Sequence, residues 1–587
     1  MRQLVGSVLV FALAAGIARG DGARIVAGPD VLASRDGGFP HVELMVAANP
    51  RDHRNLLGGA ITFSRPDGGS ACKAYASFDG GGSWLDSSFP ELNATGGGDP
   101  QVAFTPAGTA LFAALNTVKD EVGRTRAALI VHRSEDGGRT WARAVDLGYS
   151  YDHPQIAVDQ TTGAYAGRVY IGALYGGREY ILGVFRSTDD GRSFIGPVRF
   201  VDGGGAGVNV TSLVVLSDGT LVATYADFPI DPEKRKTVRQ SGLWAVSSKD
   251  GGVTFSKPVR IGTQTRATNP DAPENRLLTF NAYAADSSSG RFRDRIYGVW
   301  SDIASGRARL QWTSSSDQGR TWKPPVPLDP SVPAGAHQYQ PAIAVNGDGT
   351  VAVAWFDTRD GASPGEYSQY FTASVDGGET FLAPVRVSSQ PTQPLAAGNL
   401  LFSPKAWQDQ KGSLRLPLLS AATRWGHGGD YMGLAADARG AFHPFWADSR
   451  TGAFQAWTAT VRVERAAAET KPGPPPAAPV AADLNADVDF VIDPSSYDPA
   501  TRELQLPVRL RNRSDRPIFK PLTVEVRTFG SGMGEEWKEN APVILNASNG
   551  KPGDGATFDY SPALAGLDAL APDGQTAAVV WRMRLAD

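Results

Sequence analysis

Ionisable and polar side chains recur at one position of seven short β-rich segments in this 587-residue chain. Aligned on their shared pattern, the segments place five such residues there, Glu43, Asp99, His153, Gln340 and Tyr431. A position that only packed against a neighbouring segment would be apolar, so this polarity indicates a ligand. Clustered carboxylates raise one another's pKa, as a general acid requires, and a nearby His or Tyr can act as base or nucleophile. The alternative is a set of polar residues that line a water-filled channel and do nothing more.

The position one residue earlier adds Asp152, Tyr339 and Asp430. Asp430 belongs to the stretch WGHGGDY, in which two glycines let the backbone approach a ligand and His427 would converge with Asp430 and Tyr431. A tight turn entering the last segment would need the same glycines. We therefore predict Tyr431, Asp430, Glu43, Asp99 and His153 as catalytic residues, and Asp152, Tyr339, Gln340 and His427 as substrate-binding residues.

Four arginines complete the predicted substrate-binding set, namely Arg35, Arg359, Arg424 and Arg450. A carboxylate ligand favours Arg because the planar guanidinium binds it at two points and never loses its charge. Arg359 and Arg450 end the related stretches WFDTR and WADSR. A salt bridge within a loop explains their Asp-x-Arg spacing more simply than substrate binding does.

Glu43, Asp99 and His153 could also ligate a metal together. The seven histidines are scattered without a fixed ligand spacing, so we predict no metal or other cofactor, with calcium at an acidic channel mouth as the alternative. The phosphate-binding motif Gly-x-x-x-x-Gly-Lys-Ser/Thr does not occur in the sequence. Enzymes that use this motif to bind nucleoside triphosphates are therefore less favoured.

The elements that position these residues are revealed by an octapeptide that occurs six times, as in SEDGGRTW from Ser134. Its aspartates are Asp79, Asp136, Asp189, Asp250, Asp317 and Asp376, with successive spacings of 57, 53, 61, 67 and 59 residues. Such a unit is long enough for four short strands, which form one blade of a β-propeller. We predict an all-β propeller of seven blades, closed by an N-terminal strand within Gly28–Ser34, with a six-bladed ring as the alternative.

Folding alone explains the octapeptide, because its Asp accepts local hydrogen bonds, its Gly adopts a left-handed conformation and its aromatic side chain fills space between strands. The six copies resemble the Asp-box, or BNR, repeat of sialidase-like propellers. That resemblance implies a turn between the third and fourth strands of each blade, on the face opposite the active site. It therefore implies a structural role for the six aspartates.

The same resemblance implies a Tyr nucleophile assisted by Glu, an Asp acid/base and three arginines that bind a substrate carboxylate. Tyr431, Glu43 and Asp99 have the right types, but Gly38-Phe39-Pro40 replaces the family's Arg-Ile-Pro. We predict a protein that acts on glycans, as an exo-acting glycoside hydrolase of the exo-α-sialidase type or, less favoured, a polysaccharide lyase. The alternative is a non-catalytic module that binds glycan or protein.

The sequence predicts an exported protein that binds no nucleic acid. Lys and Arg total 57 against 61 Asp and Glu, a net charge of −4 without a basic run. We predict a signal peptide at 1–20, the propeller at 24–464, a Pro/Ala-rich linker at 465–482 and an immunoglobulin-like β-sandwich at 483–587. The lone Cys72 excludes an intramolecular disulfide. We expect a secreted or periplasmic monomer with a glycan or glycoconjugate partner and no membrane span.

Overall fold

The computed structural model describes residues 22–35, 38–63, 70–87, 89, 97–119, 125–148, 152–175, 181–203, 207–231, 236–237, 240–266, 281–363, 365–400, 407–408, 414–415, 427–465, 484, 487–514, 517–526, 542–565, 567 and 569–585. The predicted signal peptide lies outside these ranges, as does nearly all of the predicted linker. The chain divides into two compact units, residues 1–469 and 470–587. Among the described residues, no helix has the length and apolar character needed to cross a membrane.

The described part of the first unit contains six four-stranded antiparallel sheets and a seventh sheet of six strands. In chain order the four-stranded sheets are sheet 1 (His41–Ala48, Leu56–Thr62, Ala71–Ser77, Leu85–Ser87), sheet 2 (Gly98–Phe104, Ala110–Lys119, Thr125–Ser134, Val145–Asp146), sheet 3 (Asp152–Val158, Val169–Tyr175, Ile181–Ser187, Ile195–Asp202), sheet 4 (Gly207–Val215, Leu221–Phe228, Gln240–Ser248, Val259–Thr265), sheet 5 (Ala282–Ala285, Ile296–Asp302, Arg309–Ser315, Val326–Pro327) and sheet 6 (Gln338–Val345, Val351–Asp357, Ser368–Ser374, Val385–Arg386). Sheet 7 contains Gly433–Ala436, Phe442–Asp448, Gln455–Thr458, Val461–Glu464, Val31–Leu32 and Arg24–Ala27. Two short hairpins (Ile230–Asp231 with Lys236–Thr237, Trp407–Gln408 with Leu414–Arg415) and a 3-10 turn at Ala397–Leu400 complete the elements described in this unit.

The seven sheets form a closed ring. The first strand of each sheet contacts the first strand of the next, and that of sheet 7 contacts that of sheet 1. The second strands are largely apolar, as in Val351–Asp357, and every residue of this strand and of the neighbouring Ser368–Ser374 is buried because adjacent sheets cover both faces. The predicted all-β propeller is confirmed.

The N-terminal segment joins the last sheet to the beginning of the chain. Val31 pairs with Thr458 and Leu32 with Trp457, so the segment within Gly28–Ser34 supplies the fourth strand as expected. A second pairing, Arg24–Ala27 with Val461–Glu464, was not anticipated from the sequence. Both N-terminal strands are therefore hydrogen-bonded into sheet 7, which joins the two ends of the ring.

Each octapeptide forms the turn between the third and fourth strands of its sheet. In the second copy Ser134 Oγ donates to Asp136 Oδ1 at 2.7 Å, and Thr140 Oγ1 and backbone N–H donate to the same carboxylate at 2.6 and 2.9 Å. Burial by itself raises the pKa of Asp136, but these donors outweigh it and hold the pKa below its usual range. The same Ser and Ser/Thr donors serve the other five aspartates, so all six have a structural contact set.

The second unit is also built of strands. Its elements are Val488–Ile492, Ser496–Asp498, Glu503–Asn512, Ile518–Phe519, Thr523–Val526, Val543–Ile544, Ala556–Asp559, Ala569–Leu570 and Val579–Arg584, with a 3-10 turn at Pro562–Leu564. Leu510, Phe558 and Met583 are buried in its core, and Phe558 stacks on Trp581 with ring centroids 4.3 Å apart. This arrangement gives the unit a hydrophobic core of its own.

Candidate functional site

Four of the inner strands carry a β-bulge at the position that the sequence alignment identified. Two residues there oppose one on the neighbouring strand, and the first of the two has a left-handed backbone, as at Glu43 (φ 54°), Asp99 (φ 48°), His153 (φ 45°) and Gln340 (φ 52°). A non-glycine residue in this conformation costs of the order of 1–3 kcal/mol, and a bulge redirects the side chain. The second bulged residue is Pro100 in sheet 2, Pro154 in sheet 3 and Pro341 in sheet 6. Proline suits this position because it has no backbone N–H to donate to the neighbouring strand.

Asp99, Asp152 and His153 come together at the junction of sheets 2 and 3. His153 N–H donates to Asp99 Oδ2 at 3.0 Å, which fixes one carboxylate against the neighbouring bulge. The imidazole lies between the two carboxylates, with Nδ1 3.9 Å from Asp99 Oδ2 and Nε2 3.9 Å from Asp152 Oδ2. Burial and the nearby Asp99 charge raise the pKa of Asp152, and His153 partly opposes this. The arrangement suits proton donation.

Tyr431 is buried beside a carboxylate from sheet 1 and another from sheet 2. Its hydroxyl donates to the carbonyl oxygen of Pro100 at 3.5 Å. Burial raises its pKa well above the usual value, and the charges of Glu43 and Asp99 raise it further. The phenol is therefore neutral, and any reaction through its oxygen needs a base to take the proton. Glu43, whose side chain is buried, is the predicted catalytic carboxylate that could do so.

The glycines of WGHGGDY bring two chain segments into close contact. Glu43 N–H donates to the carbonyl oxygen of Gly428 at 2.8 Å. Gly429 has φ 124°, and a Cβ added there would lie 2.4 Å from the backbone nitrogen of Glu43. The two glycines therefore allow the segment that carries Asp430 and Tyr431 to approach the bulge of sheet 1. Asp430 is itself buried.

His427, Tyr339 and Gln340 lie deeper than a substrate-binding role would suggest. The rings of His427 and Tyr339 have centroids 4.4 Å apart, and both residues are buried. Burial, followed by the charge of His337, lowers the pKa of His427 to about 3, so the imidazole is neutral at physiological pH. Gln340 is 2% exposed, and its amide nitrogen and oxygen have no hydrogen-bond partner among the described residues. His427 and Tyr339 thus support the site by packing.

The arginines are arranged as salt bridges. Arg359 Nη2 lies 2.5 Å from Asp329 Oδ2 and 2.7 Å from Asp357 Oδ2. Arg450 repeats the arrangement with Asp30 and Asp448. Because two buried carboxylates already neutralise each guanidinium, neither is available to bind a substrate carboxylate, and the loop salt bridge is the arrangement observed.

The two other arginines of the predicted set do not add a clamp to the described site. Arg35 is exposed, and Arg424 lies outside the described residues. The described residues therefore supply no cluster of arginines beside Tyr431.

A cavity of about 180 Å³ occupies the centre of the ring and is lined by the inner segments of all seven sheets. Tyr431 forms part of its wall. Sequence reasoning missed its polar lining residues, which include Gln101, Gln155, Thr211 and Asn281. Gln101 and Gln155 follow the Asp-Pro and His-Pro pairs, so the recurring x-Pro dipeptide was the available signal. Cys72 was also missed, although burial and then the charges of Asp99 and Glu43 raise the pKa of its thiol.

One described group could hold a metal, consisting of Asp99, Asp152 and His153. One ligand atom from each lies within 4.8 Å of the others. The trio that the sequence analysis considered before predicting no metal contained Glu43 in place of Asp152. Asp152 takes part because it precedes His153 at the start of the same strand, whereas Glu43 is buried on sheet 1.

No protein-family model and no curated protein matches the sequence. Among solved structures, the chain is similar to the leech intramolecular trans-sialidase (12% identity, TM-score 0.39, covering 55% of this chain and 66% of that one). It is also similar to the GH93 α-L-arabinofuranosidase of Fusarium graminearum (14% identity, TM-score 0.40, covering 56% and 92%). A protein of unknown function from Dyadobacter fermentans is a third (13% identity, TM-score 0.36, covering 76% and 100%). Any proposal of function therefore rests on the residues of this chain.

Proposed function

We propose that this chain is an exported glycoside hydrolase that acts on glycans from the chain end, with a sialidase-like catalytic arrangement. The observation that carries the proposal is the burial of Tyr431 against carboxylate-bearing bulges of neighbouring sheets. A nucleophile, a base and an acid are the groups that a retaining glycosidase requires. Export is proposed from residues 1–20, which lie outside the described residues.

In this mechanism Tyr431 Oη attacks the anomeric carbon while Glu43 accepts the phenolic proton. The bond to the leaving oxygen breaks, and the carboxylic acid of Asp152 protonates that oxygen. Asp99 keeps a proton on Asp152 because two carboxylates this close do not both ionise readily. Water then attacks the glycosyl-tyrosine, Asp152 accepts a proton from the water, and Tyr431 leaves with the proton held by Glu43. His153 donates its backbone N–H to Asp99 and so fixes the pair.

The charges around the site favour neutral sugars over anionic ones. A sialoside carries a carboxylate that needs arginines, whereas the described Arg359 and Arg450 are already paired with aspartates. The pair of Asp99 and Asp152 keeps at least one negative charge, which would repel an anionic sugar. Sialosides are thus one arm of the substrate test, and neutral glycosides such as arabinofuranosides and hexopyranosides form the other.

The test measures release of a fluorogenic aryl group from both arms by the purified full-length protein, Tyr431→Phe and Glu43→Gln. Tyr497→Phe is the matched control because Tyr497 is an exposed tyrosine of the second unit. We expect Tyr431→Phe to abolish turnover, Glu43→Gln to lower kcat by about 100-fold or more, and the control to match the wild type. Turnover that Tyr431→Phe leaves unchanged would refute the assigned nucleophile.

The second candidate is a non-catalytic module that binds glycan or protein. The pairing of Arg359 and Arg450 with aspartates, together with Gly38-Phe39-Pro40 in place of the family's arginine, favours it. It predicts no turnover of either arm and saturable binding on a glycan array. Binding that Glu43→Gln or Asp152→Asn weakens would place the ligand at the same site.

A further inference from the structure

The cavity at the centre of the ring is polar on one side and apolar on the other. Apart from Tyr431, its lining residues with amide or hydroxyl groups all come from the inner segments of sheets 2 to 5. The lining from sheets 6, 7 and 1 is otherwise apolar, as at Ile343, Leu434 and Met45. Such a cavity presents hydrogen-bonding groups to one side of a ligand and carbon atoms to the other.

Two amide side chains in the polar half lack the hydrogen bonds that buried amides normally make. Gln101 and Asn281 are each 2% exposed, and Nε2 of Gln101 and both amide atoms of Asn281 have no hydrogen-bond partner among the described residues. The lining hydroxyls of sheet 4 differ, because Thr211 Oγ1 lies 2.9 Å from Thr224 Oγ1 and Ser212 Oγ donates to the carbonyl oxygen of Thr211 at 2.7 Å. Burial of an unpaired amide is costly, so these two amides point to a ligand that pairs with them.

The size and the charge of the cavity limit that ligand. Its volume of about 180 Å³ equals the share of about six water molecules at ~30 Å³ each. One pentose or hexose has this size, whereas pockets for drug-sized ligands measure roughly 300–1,000 Å³. Among the described residues, no Asp, Glu, Lys, Arg or His lines the cavity, so a charged group bound there would lose its water without gaining a counter-ion. An amide both donates and accepts hydrogen bonds, as a sugar hydroxyl does.

We propose that this cavity binds the terminal sugar of the glycan as a single uncharged pentose or hexose, and that Gln101, Gln155 and Asn281 select it through its hydroxyl groups. Tyr431 connects the cavity with the reaction, because it lines the cavity and is the proposed nucleophile. The inference rests on the proposed function and adds the class of the terminal sugar. Recognition by uncharged amides takes the place of the arginines that the Asp-box resemblance implies.

The test is a ligand-observed NMR titration of the purified full-length protein with free sugars. D-Glucose and D-galactose are each compared with the uronic acid of the same ring, L-arabinose is the pentose, and N-acetylneuraminic acid is the larger acidic sugar. Gln101→Met and Gln155→Met keep the length of the side chain and remove the amide. Gln264→Met is the matched control, because Gln264 is also buried but its amide donates to the carbonyl oxygen of Ser301 at 2.8 Å. Thermal midpoints are measured for every variant without sugar.

We expect saturable binding of a neutral sugar, weaker binding of its uronic acid, and an affinity that each cavity variant lowers by about 3- to 10-fold, as the loss of one neutral hydrogen bond implies. Gln101→Met should raise the thermal midpoint because it removes an unpaired buried amide. Gln264→Met should lower the midpoint and leave sugar binding unchanged. A glutamine with a purely structural role would not combine a raised midpoint with weaker sugar binding.

The proposal would be overturned by failure to bind any neutral sugar, by equal binding of a sugar and its uronic acid, or by an affinity that neither cavity substitution changes. A lowered midpoint in Gln101→Met would overturn the role of Gln101, because its amide would then have a structural partner. Turnover of a glycoside without binding of the free sugar would reject the cavity as the sugar site and leave the proposed hydrolysis standing. Sugar binding without turnover would do the reverse, so the two failures are distinguishable.

Discussion

Replacement of Arg359 by methionine would decide whether this arginine is structural or binds substrate. The side chains of Asp329 and Asp357, to which it is paired, are 1% and 0% exposed. Removing one partner of a buried ion pair costs about 3–5 kcal/mol because the remaining charge stays desolvated. Here Gln338 donates to both carboxylates and Ser331 donates to Asp329. These remaining donors place the expected loss near the lower end, about 3 kcal/mol of the free energy of unfolding.

The loss of stability in Arg359→Met should depend on pH. Burial raises the pKa of Asp329, but hydrogen bonds from Ser331 and Arg359 outweigh it and hold the pKa below its usual range. A depressed carboxyl pKa contributes stability that is present above the unfolded value of about 3.9 and lost as pH falls through the folded pKa. Without Arg359 the pKa of Asp329 rises. The difference between the two proteins is therefore full near pH ~7 and smaller near pH ~4.

The assay is urea unfolding of the wild type and Arg359→Met at several pH values, together with kcat and KM on any substrate found. Arg54→Met is the control because Arg54 forms an exposed pair with Asp52, and its unfolding midpoint should match the wild type. Wild-type stability of Arg359→Met combined with a raised KM would refute the reasoning and return Arg359 to the substrate site. A loss that did not change with pH would refute the role of the carboxylates.

Four other substitutions test the site and the turns. Gly429→Ala should lower activity because its Cβ would clash with Glu43. Gly452→Ala is the control, because Gly452 also has a positive φ but no atom lies near its added Cβ, and it should leave activity unchanged. Equal effects of the two substitutions would contradict the proposed clash. The wild type should lose stability as the pH falls from ~6.5 to ~3, because burial keeps the His427 imidazole neutral in the folded state while it is protonated in the unfolded state. His427→Gln should reduce this loss. If urea unfolding at several pH values gave the same slope for both proteins, the reasoning would be contradicted. Asp136→Ala should lower the free energy of unfolding by about 1–2 kcal/mol and leave KM unchanged, so a changed KM would argue against a purely structural turn. Gln340→Gly should raise the thermal midpoint, because it removes both a left-handed non-glycine residue and a buried amide without partners among the described residues; a lowered midpoint would refute the strain at this position.

The sequence predicted the ring because its unit repeats. Six octapeptides mark six turns, and the apolar runs between them contain the strands, so the period alone indicates four strands per unit. The closing strand at Val31–Leu32 was also predictable, because it resembles the fourth strands of other units. The pairing of Arg24–Ala27 with Val461–Glu464 was not, since neither segment carries a repeated signature.

The contacts that the sequence did not predict are those between residues that lie far apart in the chain. The Asp-x-Arg spacing indicated one carboxylate for Arg450, but the second, Asp30, comes from a segment 420 residues away that only ring closure brings near. Asp329 reaches Arg359 across 30 residues, by the packing of sheet 5 against sheet 6. Likewise, types and register identified Asp99 and His153, but only the bulges show that His153 N–H is donated to Asp99. These contacts depend on the tertiary fold, which a local sequence pattern does not specify.

Convergence, more than backbone strain, separates the inner-strand bulges from other left-handed positions. In the octapeptide turns glycine occupies most of the left-handed positions, but Asp190 and Gln318 occupy two of them, both at φ 63°. At the bulges the chain likewise places Glu43, Asp99 and His153 in a left-handed conformation, although glycine would avoid the strain. Asp190 and Gln318 belong to separate turns, whereas the residues at the bulges differ in type from sheet to sheet and converge beside Tyr431. That convergence favours a ligand at this face of the ring over water alone.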